Sequence, residues 1–296
     1  GATSAAQLHG WLSAVGAEPL IYVPDRIEEG YGPNTAALEQ LHKAGAELVI
    51  TLDCGAASVE PLAAAARIGL SVAVVDHHLM DGAPPEAAAL VNPNQPGDTS
   101  GCGHLAAAGV VFVLLAALNR EGRRRGAFKT SEPPDVLSFA DLAALGTICD
   151  VVALSGVNRA IVAQGLKRMS AWSRPGLAAL AEVAGVSGPA SPYHAGFLIG
   201  PRINAGGRVG QSDLGARLLT TTDPAEARTI AETLDQLNAE RRAIEAEVLD
   251  AAAAQIEAAG VKAEDPVLIA AGEHWHPGVI GIAAGRIKER YNRPAI

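Results

Sequence analysis

The chain has 296 residues, 49% hydrophobic, 4% aromatic and 19% charged, with 23 Lys and Arg against 32 Asp and Glu for a formal net charge of −9. This length suits one large domain or, more readily, two, and the composition excludes a disordered chain and any apolar run long enough to span a bilayer. The negative balance argues against wrapping duplex DNA, which needs a basic face, but leaves room for a local basic groove along a single strand.

The amino-terminal third alternates helix and strand signals. Thr3 or Ser4 can cap a helix running to about Ala14, and Leu20-Ile21-Tyr22-Val23 predicts a strand. Asn34 caps a helix over Thr35 to Lys43, ended by Gly45. A strand follows over 47–52, then a helix from Ser58 to about Arg67, ended by Gly69, and a strand over Ser71 to Val75. Strands alternating with helices predict βαβ units and a parallel sheet, hence an α/β fold.

Residues 81–103 are rich in Pro, Gly and Asn and predict a long loop, which in a compact domain is often functional. Helices then dominate, over about 105–119, 135–148, 158–170 and 175–184, with Arg123-Arg124-Arg125 in a solvated loop between the first two. Pro224 to Ala259 predicts one long helix capped by Thr222 or Asp223 and ended by Gly260. Pro266 to Ala270 predicts a new strand and Val279 to Tyr291 a new helix. The expected domains are therefore 1–222, a connecting helix over 223–260, and part of a second, smaller α/β domain over 261–296. Cys54, Cys102 and Cys149 have no paired spacing. With no signal-peptide pattern at the start, this predicts a reducing, cytoplasmic setting.

Chemistry concentrates at strand ends. Asp53 ends one predicted strand and Asp76-His77-His78 ends the next, where ligands of open α/β sheets bind. Carboxylate and imidazole together suit manganese, zinc or iron. Asp150, at the end of an apolar helix, is a third candidate, because a carboxylate there faces an unfavourable dipole that a cation would offset. A lone Asp after a strand also serves as a turn or cap residue. Gly200 to Arg208 places Arg202, Asn204 and Arg208 among turn-forming residues, a loop suited to bidentate phosphate contacts or simply a Gly-rich surface turn. In Trp275-His276-Pro277-Gly278, His276 could bond a phosphate and Trp275 could stack on a base. A capping turn, or a zinc site of His274 and His276 with Cys102 and His104, is the alternative.

On these residues the chain strongly resembles the DHH phosphoesterases, and within them the bacterial single-strand-specific 5′→3′ DNA exonucleases. The likeness runs nearly end to end. It takes in Val23-Pro24-Asp25-Arg26, Glu29-Gly30-Tyr31-Gly32, Thr51 to Gly55, Asp76-His77-His78, Asn92-Pro93-Asn94, Leu145-Gly146-Thr147 through Val152, Gly200 to Arg208, Trp275 to Val279 and Arg286 to Arg290. The resemblance implies a parallel-sheet DHH domain joined by the long helix to a DHHA1-type domain, and a site of two Mn2+ or Mg2+ ions. It implies Asp53, His77 and Asp150 as ligands, Asp76 orienting His77, and His78 facing the scissile phosphate. Arg202, Asn204 and Arg208 would grip the strand, with His276 adding a contact from the second domain.

The implied substrate is single-stranded DNA in recombination and repair, with a helicase or a single-strand-binding protein as partners and no membrane. A DHH hydrolase of short oligonucleotides or small phosphate compounds is the alternative, and a non-catalytic single-strand binder a further one. The family's Asp-x-Asp-Gly ligand motif is not found: Gly1-Ala2-Thr3-Ser4 looks like the Gly after that pair. The family's later glycine-rich motif and oligonucleotide-binding domain are also missing. The chain thus looks like a fragment, from which weak metal binding and little catalysis are expected.

Overall fold

The structure is a computed structural model that describes residues 1–26, 28–260 and 265–296. Helix α1 (Ala2–Ala14) is followed by α2 (Thr35–Lys43), strand β1 (Leu48–Leu52), α3 (Val59–Arg67), β2 (Ser71–Val75) and β3 (Ala89–Val91). The strands form a parallel sheet in the order β1-β2-β3, with Leu48 opposite Ser71, Leu52 opposite Val75 and Val75 opposite Val91. The expected parallel α/β sheet is therefore present. Asn34 caps α2 as its position predicts, its side chain accepting from the Ala37 amide at 2.8 Å.

Four local expectations change. Residues 20–23 join no strand, and Leu20 is 79% exposed. Pro19 and Pro24 bracket the segment and remove two ladder donors. The loop predicted over 81–103 contains β3, which the surrounding Pro and Gly residues obscure. Arg123 to Arg125 belong to the last turn of α4 (Ala107–Arg125), where cations complement the helix dipole before the left-handed Gly126. The strand predicted at 266–270 reduces to one parallel bridge between Leu268 and Ala295.

The middle of the chain is helical: α5 (Ala140–Cys149), α6 (Gly156–Met169) and α7 (Pro175–Val183), then α8 (Gly200–Val209), α9 (Leu214–Thr220), α10 (Pro224–Ala259) and α11 (Pro277–Tyr291). Few aromatics are available, so the core is aliphatic: Leu115, Leu142, Leu145, Leu180, Leu218 and Leu234 are each 0% exposed. Small residues bring helices together. A Cβ on Gly165 of α6 would run into the Ala140 carbonyl of α5. A second cluster, with Leu38, Leu62, Leu70, Val72 and Val74, packs α2 and α3 on the sheet.

The 36-residue α10, about 54 Å long at 1.5 Å per residue, is the spine of the molecule. Its first part packs on α7, α8 and α9, and its later part on α11. Among the described residues no helix is long and apolar enough to cross a membrane.

Candidate metal centre

The site is assembled where β1, β2 and α5 end. Directly after β1, Asp53 adopts φ 65°, a left-handed conformation uncommon for a residue with a side chain, and its amide donates to the Val75 carbonyl at 2.9 Å. Gly55 follows at φ 105°, where a Cβ would also lie 2.6 Å from Thr51 Oγ1. The turn therefore requires glycine on both counts.

At the end of β2, His77 Nδ1 lies 3.1 Å from the Leu105 carbonyl, a contact only an N–H can make. That makes Nδ1 a protonated nitrogen and turns Nε2 to the opposite side of the ring. Nε2 points at Asp53 Oδ1 (3.3 Å) and Asp150 Oδ2 (3.6 Å). A backbone carbonyl orienting an imidazole whose other nitrogen faces carboxylates is the usual support of a metal-ligating histidine.

Asp76 does something other than expected. Its carboxylate, 1% exposed, accepts from the amides of Ala56 and His77 and from His78 Nδ1 at 2.6 Å. It therefore orients His78 rather than His77, because the tight turn after β2 folds the carboxylate under the following backbone. The amide-rich segment beyond β3 completes the clamp. Asn92 Nδ2 donates to the His78 carbonyl at 2.9 Å, and Asn94 Nδ2 to the carbonyls of His77 at 2.6 Å and Gly103 at 3.0 Å. Sequence reasoning assigned Asn92 and Asn94 no role, although two Asn flanking Pro93 after an apolar run is a readable signal.

The donor set fits a divalent cation. Ligand atoms of Asp53, His77 and His78 lie within 4.8 Å of one another, and Asp150 adds a carboxylate to the same imidazole. Burial raises the pKa of Asp53, but the bond to His77 works against it, and the carboxyl is held well below its usual range. His77 is raised, chiefly by the Asp53 bond and against burial. Burial raises Asp150, with the neighbouring Asp53 charge adding to it. Two carboxylates facing one imidazole are thus short of positive charge, which a cation would supply. Among the described residues, the alternative set of Cys102, His104, His274 and His276 forms no such group.

The segment 200–208 is no loop. It forms α8, begun by Pro201 in the first turn. Gly206 serves helix packing: a Cβ there would meet the Gln211 carbonyl at 3.0 Å and Leu234 Cδ2 at 3.1 Å. Arg202 points away from the carboxylates, with Nε on Asp235 Oδ1 at 2.8 Å and Nη1 on the Leu198 carbonyl at 2.7 Å. Asn204, by contrast, lines a cavity of about 170 Å³ together with Arg26, Asp53 and Asp150.

Arg208 borders a larger cleft of about 860 Å³ that also takes in Arg26, Tyr31, Asp53 and Asp150. Its Nη1 donates to the Gly278 carbonyl at 2.9 Å, tying α8 to the start of α11. Burial, reinforced by Arg26 and Arg241 and opposed by Glu245, lowers the Arg208 pKa, and Arg26 and Arg208 both line the cleft. Arg26, whose guanidinium lies 5.5 Å from the centre of the Tyr31 ring, is a site residue that sequence reasoning passed over. His276 caps α11, its Nδ1 accepting from the Gly278 amide at 3.0 Å. The cap uses Nδ1 and not Nε2.

Residues 1–147 match the DHH family, N-terminal domain. The whole chain is 39% identical to the single-stranded-DNA-specific exonuclease RecJ of Bacillus subtilis (strain 168), covering 36% of that protein. It is 38% identical to the RecJ of Escherichia coli (strain K12), covering 52% of it. The whole fold also superposes on a crystal structure of exonuclease RecJ bound to manganese, with TM-score 0.85, 37% identity and 71% of that chain covered. RecJ in complex with Mn2+ from Thermus thermophilus gives TM-score 0.81 at 35% identity, with 41% of that chain covered. The chain spans about half or less of the length of these curated relatives.

Proposed function

Since the chain belongs to the DHH family, in its RecJ branch, we propose that the protein hydrolyses phosphodiester bonds of single-stranded DNA, stepwise from the 5′ end, with Mn2+ or Mg2+ as cofactor. The observation that carries this reading is His77 Nε2 standing 3.3 Å from Asp53 and 3.6 Å from Asp150 on three separate elements. When bound, the divalent ions supply Lewis-acid activation of water and neutralise charge at the scissile phosphate.

The chain's own residues do the rest. Asp53, His77 and Asp150 hold the cation side, and Leu105 keeps His77 in the ligating tautomer. His78, its Nδ1–H engaged by Asp76, presents Nε2 towards the phosphate. Arg208 and Arg26 face the cleft and neutralise the strand's backbone, and Asn204 beside them offers it a hydrogen bond. His276 adds a contact from residues 261–296, read as part of a substrate-binding domain. Arg202 acts indirectly, by fixing α8 on α10. The setting this implies is cytoplasmic recombination and repair, beside a helicase or a single-strand-binding protein.

A two-ion centre needs more ligands than these three side chains. The isolated chain is therefore expected to bind manganese weakly and turn over slowly. A substrate-length series with Mn2+ tests the reading. Metal-dependent release of nucleotides from the 5′ end of long single strands supports it. Preference for dinucleotides, pyrophosphate or other small phosphate compounds contradicts it.

A further inference from the structure

We propose that Asn158 is a positioning residue for the metal centre: its side-chain amide ties the segment that orients His77 to the turn that delivers Asp150. This inference rests on the metal-centre reading above and deepens it, by naming a residue that touches neither ligand.

Asn158 stands in the first turn of α6 and is 0% exposed. Its Nδ2 donates to the His104 carbonyl at 2.7 Å and to the Ala153 carbonyl at 3.0 Å. Carbonyls only accept, so the end of the amide that faces them is the NH2 group, and both of its hydrogens are used. Oδ1 is buried with no hydrogen-bond partner among the described residues. A buried acceptor left unpaired costs stability that an apolar side chain would not. No side-chain cap bond starts α6, so the task of this amide lies in the two bonds it donates.

The first bond acts on His77. The carbonyls of three successive residues each have a partner: Gly103 accepts from Asn94 Nδ2 at 3.0 Å, His104 from Asn158, and Leu105 from His77 Nδ1 at 3.1 Å. The Leu105 amide in turn donates to the Cys102 carbonyl at 2.9 Å. The peptide between His104 and Leu105 is thus held at its oxygen by Asn158 and at its N–H by Cys102. It cannot turn without moving the carbonyl that aims the imidazole.

The second bond acts on Asp150. Val151, the next residue, sits at φ 58°, a left-handed conformation that a β-branched residue rarely adopts. Its side chain is 89% exposed, so packing does not hold it there. The backbone does. The Val151 amide donates to the Ile148 carbonyl at 3.1 Å on one side, and Ala153, two residues on, is fastened by Asn158 on the other. One amide therefore secures both sides of the 3.6 Å gap between His77 Nε2 and Asp150 Oδ2. A cation bonded to both groups tolerates drift of only about 0.5 Å in their positions.

The test titrates Mn2+ into the chain by calorimetry, beside thermal melts, at a temperature where each variant is folded by circular dichroism. Asn158→Ala should weaken Mn2+ binding about tenfold. Asn158→Ser is the gentler variant should alanine fail to fold. Its hydroxyl donates one hydrogen and cannot span both carbonyls, so it should still lose at least about threefold. Ile161→Val trims the buried face of the same helix, and should lower Tm while leaving the Kd for Mn2+ unchanged. Electron spin-echo modulation from imidazole nitrogen on bound Mn2+ should be shallower in the Asn158 variants and unchanged in Ile161→Val, a signature that lost stability alone does not give. An unchanged Kd or unchanged modulation in a folded Asn158 variant, or an equal loss in Ile161→Val, overturns the brace alone. Failure of the unsubstituted chain to bind Mn2+ at all overturns the metal-centre reading, and the brace with it.

Discussion

The strand-end carboxylates and the arginine helix were expected to share one task, yet they are built in opposite ways. At Asp53, His77 and Asp150 the polar atoms converge on one another across three elements and remain short of positive charge. In α8 one arginine is already neutralised, Arg202 by Asp235, and another, Arg208, is held by a carbonyl at the start of α11. The first region is poised for an added ion. The second is mostly structural, and of Arg202, Asn204 and Arg208 only the last two border the cavities. A motif thus names residues that stay together. It does not say which of them face the reaction.

The largest expected effect breaks the first region. His77→Ala removes the imidazole shared by both carboxylates and should weaken Mn2+ binding at least about 100-fold, read by calorimetric titration (about 2.7 kcal/mol or more). Asn94→Ala frees the backbone of His77 without touching a ligand atom and should cost about 10- to 100-fold in the same titration. If Asn94→Ala binds Mn2+ normally, the clamp is dispensable.

Arg202→Ala sharpens the contrast. It strands Asp235 and frees α8, and should lower stability by about 1–2 kcal/mol, because Asp235 is partly exposed, while Mn2+ affinity stays unchanged. In thermal melts that corresponds to a few degrees. Arg208→Lys should have the smallest effect: single-strand binding weakens modestly, because the cation remains but its fork geometry does not. Equal losses of strand binding in the Arg202 and Arg208 variants would erase the distinction between them.

What is legible in the sequence follows from the range of the interactions. Asp76-His77-His78 follows a strand, as the β-branched run before it predicts, because a strand end places its next residues by local geometry alone. The α2 cap at Asn34 and the Pro224 start of α10 are local in the same way. Glycines are ambiguous: in Gly200 to Arg208 they suggest a phosphate loop, yet burial of Ile203, Ala205 and Gly206 makes a helix there. The pairing of Arg202 with Asp235 spans 33 residues, and no pattern announces it. Nor does one announce that Asp76 serves His78, since that depends on how tightly the turn folds back on its own amides.

The most direct test of the central claim is Mn2+ electron paramagnetic resonance on the chain, titrated alongside Asp53→Asn and Asp150→Asn. Each substitution keeps the shape of the side chain and removes its charge. The account predicts that the unsubstituted chain, at a concentration above its weak Kd, lowers the free-ion signal and that either variant restores it. Equal quenching by all three proteins would show that the cation is held elsewhere and that these carboxylates are not its ligands.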